Sequence, residues 1–295
     1  MRISQRYIID SAVDRLQRNQ EGMDKLRAEI AAGRKILKPE DDPQGTHQAL
    51  ALRTHLSAVR NFLQNVEYTL DWLQASDVAL GSMAKVLTEA RDEALKAAND
   101  TLSGQIRQSL APVVRDLFAQ AVGIGNTEHR GQRIFAGFKV QQPPFVADMD
   151  TLTFTYRGDS GSINHEVEPG SRTVINIPGS DPLFSAALTA LKDLYDALQA
   201  NDTAAIRAAI TELDSALDLT LQRQGEVGSR VKGVQGTRAR LQRFELEVQS
   251  LLSRVESADV AEAALNLSSY EQGYQATLGA LSRILPFTSL FDYMR

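Results

Sequence analysis

The sequence predicts a mainly α fold: a long antiparallel helical coiled-coil rod, made by the N- and C-terminal segments, with a small β-rich insert domain in the middle. Three observations lead there. No proline occurs between Pro43 and Pro112 or between Pro182 and Pro286, whereas Pro143, Pro144, Pro169, Pro178 and Pro182 crowd the centre. Proline breaks helix interiors, so the two free stretches can be long helices and the centre cannot. Apolar residues recur every three and four positions in both free stretches, the spacing of a helical seam, and every two positions in part of the centre, the spacing of a half-buried strand.

Residues 1–42 read as an N-terminal helix and loop. Ile9, Val13, Leu16, Met23 and Ile30 step along one face, although Gln20 and Arg27 fall on the same seam and weaken it. The loop lies in "AAGRKILKPEDDPQG", residues 31–45, where Asp41 and Asp42 stand side by side before a proline. A hard cation such as calcium needs about six to eight oxygens in defined geometry, and this loop lacks the alternating ligands and glycine of a calcium loop. A helix cap needs only Asp42 accepting main-chain N–H bonds and Pro43 in the first helical position, where its missing N–H costs nothing. Asp42 and Pro43 are therefore expected to cap the next helix, with Asp41 in the turn.

Residues 43–137 form the N-terminal half of the rod. From Ala49, the positions Leu52, Leu56, Val59, Leu63, Val66, Leu70, Leu73, Asp77 and Leu80 keep heptad steps with one polar member. A helix from Pro43 to about Thr101 would be roughly 90 Å long, more than a globular domain requires. Residues 138–182 form the β-rich insert: Leu152, Phe154 and Tyr156 alternate with threonines, and "RGDSGS" supplies turn chemistry. So small an insert buries little of its own surface and is expected to lean on the rod or on a neighbouring subunit. Residues 183–265 form the C-terminal half, with an amphipathic run from "LFSAALTALKDLYDAL" and a seam through Leu241, Phe244, Val248, Leu251, Val255 and Ala258 that slips near Glu262. Between them, Gly225, Gly228, Gly233 and Gly236 predict a bend or the close approach of another backbone. Residues 266–295 form a C-terminal assembly helix and tail. Pro286 falls inside that helix near its end; if the helix stops there, 287–295 form a separate tail, and the sequence leaves open whether that tail is helical. Because Gln20, Arg27 and Glu262 break the terminal seams, residues 1–42 and about 266–295 are expected to be mobile in an isolated monomer and ordered on assembly.

Composition excludes several classes of function. Lys and Arg number 32 against 37 Asp and Glu, a net charge of −5, so there is no basic field for nucleic acid or acidic lipid. No apolar run of about 18 residues predicts a membrane span, and "MRISQRYIID" lacks the apolar core of a cleavable signal peptide. The absence of cysteine removes disulfides, thiolate metal sites and cysteine nucleophiles. His47, His55, His129 and His165 are scattered without zinc-type spacing. "RGDSG" at 157–161 lacks the strand-to-helix context of a nucleophile and reads as a hairpin turn, and the five basic residues of "RVKGVQGTRARLQR" lack interleaved aromatics and read as a solvated helix face. Nothing composes an active site, a cofactor cradle or a metal site.

"LRAEIAAGRKILKPEDDPQG" resembles the signature loop of the flagellin superfamily, in which a helix ends at a small-residue, glycine, basic turn and an acidic pair opens the long rod helix. "RIFAGFKVQQPPFV", with "YRGDSG" and "IPGSDPLF", resembles the β insert of the hook–filament junction branch of that superfamily; "SRVESADVAEAALNLSSYEQGYQATLGALSRI" followed by "SLFDYMR" is similar to the branch's carboxyl end. These segments span nearly the whole chain in order. The resemblance implies a structural adaptor and no enzyme, exported unfolded through the flagellar type III apparatus with a cytoplasmic export chaperone. It implies an extracellular place at the hook–filament junction, as a ring of like subunits between a hook-side hook-associated protein and flagellin, with no nucleic acid and no membrane insertion. With the terminal seams, it puts assembly contacts on Ile3, Tyr7, Ile9, Val13 and Leu16 at one end and on Leu281, Ile284, Leu290, Phe291 and Tyr293 at the other. Two alternatives stay open: a short flagellin, the filament subunit of the same superfamily, and an unrelated intracellular coiled-coil interaction protein.

Overall fold

The structure, a computed structural model, describes the backbone of residues 2–293 and the side chains of Tyr7 and of residues 9–282. The element order is α1 (Arg2–Ala32), α2 (Pro43–Ala97), α3 (Gly104–Gly125), β1 (Glu128–His129), β2 (Gln132–Arg133), β3 (Phe145–Asp148), β4 (Thr153–Tyr156), β5 (Asn164–Glu168), β6 (Ser171–Val174), α4 (Pro182–Ala200), α5 (Thr203–Glu256) and α6 (Val260–Tyr293). Long helices with small antiparallel sheets in the middle make a mainly α fold with a β insert. The chain divides into two compact units, residues 1–58 with 244–295, and residues 59–243.

In the unit 59–243, α2 and α5 run antiparallel. Arg207 pairs with Asp100 at 2.9 Å, Arg91 with Asp214, Gln224 lies over Gly81, and Arg238 reaches Glu67. The heptad positions of α2 face inward here: Val66, Leu70, Leu73 and Leu80 are buried, joined by Trp72, Met83 and Leu87. Against them pack Val114, Leu117 and Phe118 of α3, Leu183, Phe184, Leu188 and Leu191 of α4, and Leu213 and Val227 of α5. Arg107 fastens one end of this bundle. Buried, it donates through Nε to the Ala97 carbonyl and through Nη2 to the Asn99 carbonyl, each at 2.9 Å, and through Nη1 to Asn201 Oδ1 at 3.0 Å. The cation thus satisfies the Ala97 carbonyl at the end of α2, where the helix dipole favours positive charge, and adds a second donor to the Asn99 carbonyl, which also accepts from Leu102 N–H.

The strands make three two-stranded antiparallel hairpins: β1–β2, β3–β4 and β5–β6. They begin at Glu128, ten residues before the boundary expected at 138, because Arg130 and Gly131, both at positive φ, close a two-residue hairpin. "RGDSG" closes no hairpin. It links β4 to β5, which belong to different hairpins. Its aspartate is committed internally: Asp159 Oδ1 accepts from the N–H of Phe138 and of Gly161, each at 2.8 Å. The insert leans on the helices of its own unit. Asn65 donates to the Glu166 carbonyl at 3.1 Å, Arg240 grips Glu168 through both guanidinium and carboxylate at 2.9 to 3.2 Å, and Phe145 and Phe135 pack on Phe184 of α4.

Helices α5 and α6 are both continuous. Helix α5 runs unbroken past Gly225, Gly228, Gly233 and Gly236, and a Cβ built on the first three meets nothing within 4 Å, so no close backbone explains them. Helix α6 is helical on both sides of Pro286 up to Tyr293, so residues 287–293 continue it; a proline removes one N–H from the ladder, and the remaining main-chain bonds carry the helix past it. The register slip expected near Glu262 is a true break: α5 ends at Glu256, and Asp259 restarts the chain as α6 by accepting from the N–H of Ala261 and Glu262 at 2.9 and 3.1 Å.

Candidate functional site

The unit of residues 1–58 and 244–295 joins both ends of the chain. Helices α1 and α6 lie side by side, and glycines let them approach. A Cβ on Gly22 would stand 2.7 Å from the Tyr270 ring, and one on Gly273 would stand 3.3 Å from Asn19 Nδ2. The paired positions run in opposite directions along the two helices. Met23 of α1 and Ala263 and Leu281 of α6 are buried, whereas Gln20 and Arg27 are exposed, Arg27 donating to Glu271 of α6 at 3.2 Å.

The loop after α1 is built residue by residue. Gly33, at φ +65°, takes the left-handed position that stops α1; its N–H bonds to the Ile30 carbonyl and that of Arg34 to the Glu29 carbonyl, closing the last turn. Asp41 Oδ2 accepts from the N–H of Lys38 and Leu37 at 2.9 and 3.2 Å, and Oδ1 faces Lys25 Nζ at 3.1 Å. The Lys38 N–H, with Lys25 beside it, holds the Asp41 carboxyl below the usual range. Asp42 Oδ1 accepts from Gly45 N–H at 2.8 Å, with Pro43 opening α2. The acidic pair is thus occupied by main-chain and lysine donors, one carboxylate on each side of the corner. Among the described residues, no group of three or more histidines and carboxylates could hold a metal ion.

The expected assembly residues are placed unequally. Tyr7 is 74% exposed and Val13 exposed, Ile9 and Leu16 are half-buried, and Leu281 is buried. Leu281 therefore packs within its own unit and offers no open surface to a neighbour. The side chains of Ile3, Ile284, Leu290, Phe291 and Tyr293 lie outside the described residues. Apolar side chains that seam counting passed over are open instead: Leu246 and Leu265, the latter 73% exposed, with Leu50 and Val260. On α5 the counted seam is only half covered, since Leu241 and Val248 are buried while Phe244 and Leu251 are exposed. Heptad spacing finds the stripe that faces one partner helix and is silent about a second apolar face.

Residues 3–139 match the bacterial flagellin N-terminal helical region. Flagellar hook-associated protein 3 of Salmonella typhimurium is 25% identical over 194 residues, 65% of this chain and 60% of that protein, so the match spans about three fifths of the relative's length. Flagellin of Listeria monocytogenes is 19% identical over 292 residues, covering 96% of this chain and 95% of the flagellin. The crystal structure of Bacillus cereus FlgL superposes with a TM-score of 0.62 at 22% identity, covering 69% of this chain and 99% of that one, a likeness of fold.

Proposed function

We propose that this chain belongs to the flagellin family and is the component of the bacterial flagellum that joins hook to filament. The observation that carries the reading is the 194-residue match to hook-associated protein 3 of Salmonella typhimurium. The physical features support it. Exposed Tyr7, Val13, Leu265 and Leu278 on the terminal helices offer apolar surface that neighbouring subunits would cover. The insert, gripped by helices of its own unit, serves as a spacer at the subunit's middle. On this reading the subunits form a ring outside the cell, contacting a hook-side hook-associated protein on one side and flagellin on the other, after export as an unfolded chain escorted by a chaperone.

A strain lacking the gene tests the reading. Bare hooks with flagellin released into the medium are the expected result, because the filament has lost its foundation while export continues. Normal flagella would overturn it. The match along nearly the whole length of Listeria flagellin favours a second reading, a short filament subunit. Bare hooks without released flagellin, and a protein as abundant as the filament itself, would establish that second reading in place of the first.

A further inference from the structure

At the corner of the unit 1–58 and 244–295, the carboxylate of Glu256 stands apart from Asp41 and Asp42 by its burial: the residue is 8% exposed. It is the last residue of α5, and its side chain crosses to α2, where Arg53 Nη2 donates to Oε1 at 2.8 Å and to Oε2 at 3.0 Å. Arg34 Nε lies at 4.0 Å from Oε2. Its main chain is engaged as well. The Glu256 carbonyl accepts from Lys35 N–H at 2.8 Å, Ser257 bridges Arg34, and Ala258 N–H donates to the Gly33 carbonyl at 3.2 Å. Lys35 Nζ adds a bond to the Arg254 carbonyl at 3.4 Å. The turn between α1 and α2 and the break between α5 and α6 are thus laced together by main-chain bonds on both sides of one ion pair, whose carboxylate is buried and whose guanidinium is half exposed.

We propose that Glu256 is a positioning residue, a pin that couples these two connections so that α1 and α6 take their directions together. The neighbouring bonds show how one carboxylate can do this. Asp41 ties the turn back to α1 through Lys25, and Asp42 starts α2, so both flanks of the turn are already fixed. Asp259 fixes the start of α6 in the same way. What remains free to part is the contact between the turn and the end of α5, and the Arg53–Glu256 pair spans it. A buried carboxylate that loses its partner is driven toward water, and moving it would pull the Glu256 carbonyl from Lys35 and the following Ala258 N–H from Gly33 in one step. The inference concerns the subunit's own corner and stands apart from the junction reading.

Hydrogen exchange of the full-length chain tests it, comparing wild type with Glu256→Gln, which keeps the side chain's shape, with Arg53→Gln, and with the exchanged pair Arg53→Glu/Glu256→Arg. Arg53 is half exposed, so its replacement spares the fold if Glu256→Gln does not. Expected is an increase of about tenfold or more in exchange at both Lys35 and Ala258 in each single variant, restoration in the exchanged pair, and no change at Leu73 or Leu188. Acceleration at only one of the two amides would overturn the coupling. Unchanged exchange at both would overturn the pin.

Discussion

His165 is a half-buried titratable side chain whose setting makes a demand on pH. On β5 it stacks on Tyr68 with ring centroids 5.0 Å apart, and its Nδ1 lies 3.3 Å from Thr69 Oγ1. The Arg130 guanidinium sits 5.7 Å from the same Tyr68 ring centre while pairing with Asp71. Burial pushes the imidazole below its ordinary value of 6.5. The folded chain therefore resists a proton that the unfolded chain accepts. The contribution is complete above the ordinary value and is lost as pH falls through that value toward the lowered one. Thermal melting at about pH 7.5 and about pH 5.5 should show a larger loss for wild type than for His165→Asn. Parallel losses in the two proteins would refute it.

At the scale of an element, α5 carries a correctable weakness. Gly228 and Gly233 are helical, and an added Cβ would meet open space at both. Glycine in a helix interior costs about 0.5 to 1 kcal/mol relative to alanine, chiefly because the unfolded chain has more freedom to lose. Gly228→Ala/Gly233→Ala should therefore raise stability by about 1 to 2 kcal/mol, read as a higher midpoint in urea with unchanged slope. A lower midpoint would mean that these positions are held against something the open space conceals. The same helix marks what was legible in the residues. Long heptad runs exposed α2 and α5, because a seam repeated over many turns outweighs local noise, and Asp42 before Pro43 signalled where α2 starts. The glycines misled, since their cost is the same whether or not a neighbour approaches. Arg107 and Glu256 were invisible as key residues: each works through main-chain carbonyls or partners far along the chain, and no spacing rule encodes those. Leu281 is buried within the chain itself, which periodicity could not foretell because it says which residues share a face and leaves open what covers it.

At the scale of the whole molecule, the question is whether apolar residues near the chain ends serve the subunit or its neighbours, and burial separates the two roles. Leu281 is buried, so Leu281→Asp would place a charge among apolar atoms and should cost the subunit several kcal/mol whatever it assembles with. Tyr7 and Leu265 are about three-quarters exposed, and an aspartate at either should change the melting of the purified subunit by no more than about 0.5 kcal/mol. If neighbours cover these side chains in the flagellum, Tyr7→Asp and Leu265→Asp should nevertheless abolish or shorten filaments when they replace the native protein, because a charge would then be desolvated at each repeated contact. The pairing of the two measurements is what discriminates. Well-folded Tyr7→Asp and Leu265→Asp subunits that support filaments of normal length would show that the exposed apolar residues are ordinary surface and that assembly rests on other parts of the chain.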